Sequence, residues 1–164
     1  MGCKPTKENT NIYFRCRKEA ALFNDKLYSR DGASELLGIS VSTLSDYELG
    51  LTKIIPPDMV VKMAELYNAP QLCTGYCKIE CPIGERLNIS SEVQPLERVA
   101  LKLIKLLDGE NIEQIKRQIA DISEDGVIDD SEQGTLEDIE KYLAKLSTVI
   151  SSLSLVCKKA RKGD

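Results

Sequence analysis

The 164-residue sequence has no histidine and no tryptophan, and aromatic residues make up only 5% of it. Without imidazole the chain lacks the usual general base near neutral pH, the base of a Ser-His or Cys-His pair, and the commonest nitrogen ligand for a metal. No glycine-rich nucleotide loop and no cluster of acid and base groups takes its place. The expectation is therefore a protein that is not an enzyme and carries no cofactor. No run of eighteen or more apolar residues occurs, so no segment reads as a membrane-spanning helix. The first residues hold no apolar signal core, and a cytoplasmic location is expected. Convincing strands are missing too, since no segment alternates apolar and polar residues over a strand's length.

What the chain does have is charge and aliphatic bulk. Charged residues make up 29% of it, and the net charge is −4. Few aromatics with plentiful Leu, Ile and Glu favour a mostly helical fold. The charge is uneven: residues 1–84 carry ten Lys/Arg against ten Asp/Glu, and residues 85–164 carry twelve against sixteen. The N-terminal end is locally basic through Lys4, Lys7, Arg15, Arg17 and Lys18. A nucleic acid would have to be met by such a local patch and not by the charge of the whole. The six cysteines, in a chain with no sign of secretion, point to reduced thiols or a metal ahead of a disulfide framework.

Helical punctuation divides the chain in two. Residues 11–24 place apolar side chains at roughly helical spacing and read as a first helix. Ser29 is a candidate N-cap for a helix from Arg30 to Leu37, and Gly38 can end it in the left-handed conformation. Ser40 caps the next, Val41 to Leu49, which Gly50 closes. Pro57 starts a helix running to Tyr67, and Pro70 starts another short one. Pro82 and Gly84 end the region. Beyond them Val93, Leu96, Val99, Leu103, Ile104 and Leu107 line one helix, and Ile112, Ile115, Ile119 and Ile122 line a second. A third carries Leu136, Ile139, Leu143, Leu146, Ile150, Leu153, Cys157 and Ala160, alternating three and four apart as in a heptad seam. The reading is all-α: one domain over 11–84 and a helical bundle or hairpin over 90–160.

The stretch "SRDGASELLGISVSTLSDYELG" resembles the Cro/repressor-type helix-turn-helix of the XRE family of transcriptional regulators. The likeness is carried by "LLGIS" across the turn, "STLS" inside the second helix, "YELG" at its end and "PDMVVKMAELYNAP" as the following helix pair. It covers roughly residues 11–72 and implies a five-helix, lambda-repressor-like domain that binds double-stranded DNA as a dimer, its second helix entering the major groove. Carried over position by position, Ser40, Val41, Ser42, Thr43, Ser45 and Asp46 face the groove. Arg30, with Thr52 and Lys53 in the loop after Gly50, meets phosphates. Where the family commonly has basic or amide side chains, this helix has Val41 and Asp46, and no Arg, Lys, Asn or Gln lies between Val41 and Leu49. Bidentate base readout is correspondingly thin.

Three other motifs carry chemistry of their own. Cys73, Cys77 and Cys81 are spaced four apart, so on one helix they would share a face and could ligate zinc or part of an iron–sulfur cluster. Cysteines so placed more commonly serve as small buried apolar groups. "DISEDGVIDDSE" sets Asp121, Ser123, Asp125 and Asp129 at the oxygen-ligand positions of an EF-hand calcium loop, with Gly126 at its turn and Glu132 at its bidentate end. A helix-to-helix connection with an Asp-Gly turn and an aspartate cap writes the same string. "MGCKPT" fits a myristoylation signal, with Gly2 and Thr6 in place and Cys3 beside them. Two rival readings follow: a protein-interaction module that keeps the helix-turn-helix only for packing, and a lipid-anchored calcium-binding protein. The regulator is the reading adopted, with no metal. Its long C-terminal seam is expected to pair two copies through Ile150, Leu153, Val156 and Cys157.

Overall fold

The computed structural model describes residues 10–123 and 129–161. Among them are eight α-helices and no strand: α1 Ile12–Ala20, α2 Arg30–Leu37, α3 Val41–Leu49, α4 Pro57–Leu66, α5 Gln71–Ile79, α6 Leu96–Leu106, α7 Gly109–Ile122 and α8 Gln133–Arg161. Short 3-10 turns span Asp25–Tyr28 and Gly84–Arg86. None of these helices is long and apolar enough to cross a membrane. The contacts divide the chain into two compact units, one reaching to Glu85 and taken up again at Lys159, the other Arg86–Lys158.

The helix ends of the first unit follow from single side chains. Asn11 caps α1, its Oδ1 accepting from Tyr13 N (2.8 Å) and Phe14 N (3.3 Å). Ser29 Oγ accepts from Gly32 N and Ser40 Oγ from Thr43 N, both at 3.1 Å, so α2 and α3 begin on satisfied backbone donors. Gly38, at φ 71°, ends α2 in the left-handed region, which costs a residue with a Cβ more. Gly32 is required for a different reason: a Cβ there would lie 2.2 Å from Lys26 O. The 3-10 turn therefore packs its backbone directly on the first turn of α2. α2 packs on α3 and α4, α1 on α3, and α4 on α5. Leu27, Ala33, Leu44, Val60, Met63 and Leu72 form the centre of the core between them.

Two boundaries differ from the sequence expectation. α1 stops at Ala20, and Leu22 and Phe23 continue its apolar pattern into a turn where both are exposed. Helix α6 starts at Leu96, so Val93 lies in an irregular approach, with Pro95 in extended conformation as its N-cap.

In the second unit that approach runs along α8. Ser147 Oγ donates to Asn88 O (3.2 Å) and Ser90 N donates to Ser151 Oγ (3.0 Å). Ser147, Ser151 and Leu155 are spaced one turn apart and share that side of the helix. The buried hydrophobic residues of the unit, among those described, are Val99, Ile139 and Leu155. Only Ile139 belongs to the heptad seam; Leu143 and Ile150 are exposed at 48% and 49%. Tyr142 Oη donates to Leu106 O (2.5 Å), tying α8 to the end of α6.

Candidate nucleic-acid interface

The outer face of α3 is built by elimination. Leu44, Tyr47 and Glu48 are buried, which turns Val41, Ser42 and Asp46 to solvent and leaves Thr43 and Ser45 half-buried beside them. At the helix start Ser40 Oγ also hydrogen-bonds Ser42 Oγ (2.9 Å) and Thr43 Oγ1 (2.8 Å). Three hydroxyls thus gather where the backbone N–H groups of the first turn point outward, an arrangement that favours anions. Thr52 is half-buried and Lys53 exposed in the loop that follows Gly50.

What fixes α3 in place is a buried carboxylate. Glu48 is 0% exposed and Arg17, on α1, 1%. Arg17 grips it with a fork, Nε to Oε1 at 2.5 Å and Nη2 to Oε2 at 2.8 Å. Its remaining nitrogen, Nη1, donates to Leu27 O (2.9 Å) and Tyr28 O (3.1 Å) in the 3-10 turn. Arg30 Nε reaches Glu48 Oε2 from the first residue of α2, at 2.8 Å. One carboxylate therefore joins α1, α2 and α3, while Asn11 Nδ2 donates to Tyr47 O (3.1 Å) alongside. Tyr67 borders the same group: burial first, and the Glu48 charge second, raise its phenol above the ordinary range.

Arg30 thus stands apart from the other residues assigned to DNA on sequence grounds. Its side chain is 28% exposed and bound to Glu48, so its first role is to orient α2 against α3. Arg17 and Glu48 went unassigned, although they hold the reading helix. No local signal marks them, because the two lie 31 positions apart in the chain.

The remaining sequence candidates fall out as follows. Cys73 and Cys77 lie on α5 and Cys81 in the turn behind it, all half-buried. Among the described residues no group of His, Cys, Asp or Glu that could hold a metal ion is found. Asp125 and Gly126 lie outside the described residues, as do Gly2, Cys3 and Thr6. Asp121 is exposed near the end of α7, and Ser123 Oγ donates back to Ile119 O. Asp129 and Glu132 form a reciprocal cap: Asp129 Oδ1 accepts from Glu132 N, and Glu132 Oε2 from Asp129 N, both at 3.1 Å. Those carboxylates start the long helix α8. Ile150 and Cys157 are exposed, Leu153 and Val156 half-buried.

Comparison with known proteins agrees with this geometry. Residues 21–70, from the end of α1 through α4, match a family model described as Helix-turn-helix. They are a helix-turn-helix domain of the XRE, Cro/C1-repressor-like type, a type that points to DNA binding and transcription regulation and is typical of non-enzymatic regulators. No curated protein and no solved structure matches the chain.

Proposed function

We propose that the protein is a transcriptional regulator that binds duplex DNA as a homodimer, each copy presenting α3 to the major groove. The observation that carries this reading is the α2–Gly38–α3 unit itself. Within a matched helix-turn-helix domain, its second helix is locked from behind by Glu48 and exposes Val41, Ser42 and Asp46 in front. Ser40, Ser42, Thr43 and Ser45 offer hydroxyls to base edges or phosphates, Val41 offers a methyl surface to thymine, and Thr52 and Lys53 lie at the flank. The homodimer is supported by the second unit, whose three helices bury few apolar side chains and leave Leu101, Ile104, Leu143 and Ile150 exposed. A second copy docking near Ile150, Leu153, Val156 and Cys157 would remove part of that surface from water.

The test is anisotropy of labelled duplexes from the DNA flanking the protein's own coding sequence, at 50 and 200 mM salt. Binding should weaken steeply with salt, because each phosphate contact contributes about 0.9 to the log–log slope. Lys53→Ala should weaken all sequences alike and lower the slope by about 1. Thr43→Ala should flatten the preference between sequences. No binding to any duplex at 50 mM salt would end the regulator reading.

A further inference from the structure

The connector after α1 carries Phe23, which is 91% exposed. Phe23 stands at the rim of a cavity of about 290 Å³ within the first unit, lined also by Ala20, Asn24, Leu27, Leu66, Tyr67 and Asn68, the Asn24 Oδ1 already accepting from Lys26 N. No Lys, Arg, Asp or Glu lines it among the described residues. An ion entering would give up its hydration with no opposite charge to meet it. An apolar cavity of roughly 150 Å³ holds one benzene, so this one has room for two fused rings.

Polar groups at the wall add a demand. Tyr67 Oη and Asn68 Oδ1 are buried and make no hydrogen bond among the described residues. Asn68 Nδ2 donates to Lys159 O at 3.4 Å, which leaves the amide with an unused acceptor. Two aromatic side chains, Phe23 and Tyr67, line the cavity and favour a flat ligand.

We infer that this cavity is a binding site for a small neutral two-ring aromatic molecule that carries one N–H or O–H donor, the rings held in the apolar part and the donor satisfied by Asn68 Oδ1. Tyr67 lines the cavity and also borders the Arg17–Glu48 pair, so an occupant rests against the residue that connects the cavity to the mounting of α3.

Its test uses the full-length, nitrogen-15-labelled protein without DNA, titrated with indole, 1-methylindole and indole-3-acetate. Indole should shift the amides of residues 20–27 and 66–68 saturably. It should bind about fivefold more tightly than 1-methylindole, which lacks the donor, and indole-3-acetate should bind more weakly than either. Asn68→Gly suits the positive φ of 49° at this position. It should erase the advantage of indole and leave 1-methylindole binding unchanged. Phe23→Ala removes a side chain that contributes little to the core, and should weaken both neutral ligands several-fold with the amide spectrum otherwise preserved. Shifts that do not saturate, equal affinity for indole and 1-methylindole, or affinities untouched by both variants would each overturn the inference. So would self-association that Phe23→Ala abolishes while indole fails to bind, which would make the cavity a seat for a second copy's side chain.

Discussion

Replacing Glu48 by Gln keeps the shape of the side chain and removes the one negative charge that Arg17 and Arg30 share. Arg17 is 1% exposed and cannot turn to water, so its guanidinium would stay buried, keeping Leu27 O and Tyr28 O but meeting a neutral amide where the carboxylate stood. Breaking a buried ion pair from one side costs about 3–5 kcal/mol. At about 0.05–0.15 kcal/mol per residue, the described residues 10–85 have a total stability of about 4–11 kcal/mol. The substitution should therefore remove about a quarter or more of it. Five of the six tyrosines, all but Tyr142, lie in this unit, and the chain has no tryptophan. Tyrosine fluorescence during urea unfolding thus reports mainly on it. The midpoint should fall by about 2–3 M at ordinary slopes for small domains. Pairing Glu48→Leu with Arg17→Met should recover most of the loss, because it removes both buried charges and Arg30 can turn outward. A midpoint shift below about 0.5 M for Glu48→Gln would refute the reasoning, as would a double variant no more stable than the single one.

Gly32→Ala drives a Cβ to within 2.2 Å of Lys26 O, backbone against backbone, and should destabilise the unit by about 1–3 kcal/mol in the same urea assay. Burial pushes the Cys16 thiol up to about 11, and raises the Tyr13 and Tyr67 phenols above their usual range. Each group holds its proton more tightly folded than unfolded: the Cys16 contribution is complete below about pH 9 and lost as pH rises through 11, while that of the phenols is complete below about pH 10 and falls steadily above it. Urea midpoints measured from pH 8 to 11 should fall accordingly, and a flat profile would contradict it. Leu153→Lys should convert a dimer to a monomer in light scattering while the first unit stays folded. A wild-type protein that is monomeric at tens of micromolar would remove the homodimer from the proposal.

How much of this was legible in the sequence depends on the range of the interaction. The ends of α2 and α3 were readable residue by residue, because Ser29, Ser40, Gly38 and Gly50 act on backbone groups three or four positions away. The end of α1 was not, since Leu22 and Phe23 prolong an apolar pattern while their side chains stay in solvent. Gln133 and Gly134, poor residues for opening a helix, begin α8 because Asp129 and Glu132 cap the turn just before them. The Arg17–Glu48 fork joins residues 31 positions apart. Periodicity treats both as surface, and nothing local tells a charged residue that its partner is buried with it. The assigned reading row, Val41 to Asp46, came from the family resemblance, and the structure adds what stands behind it.

That mounting makes the character of the reading row the next question, and Asp46 is its oddest member. Forked donors that grip guanine and the amides that grip adenine are both missing from α3. A carboxylate in the row can accept only from a donor such as the cytosine amino group, and it repels every phosphate nearby. At about 8 Å in water each such repulsion is about 0.5 kcal/mol, so two phosphates amount to about 1 kcal/mol, or roughly fivefold in affinity. Asp46 is exposed, and its replacement should leave the fold intact. Asp46→Asn should therefore bind duplex DNA about fivefold more tightly at 50 mM salt, and the gain should shrink at 200 mM. The amide also donates as well as accepts, so preference at the contacted position should move from cytosine towards adenine. Asp46→Ala separates the two effects: it should gain affinity in the same way but lose preference at that base pair altogether. If both variants bind every duplex as the unaltered protein does, Asp46 does not face DNA, and α3 is not lying in the groove by this face.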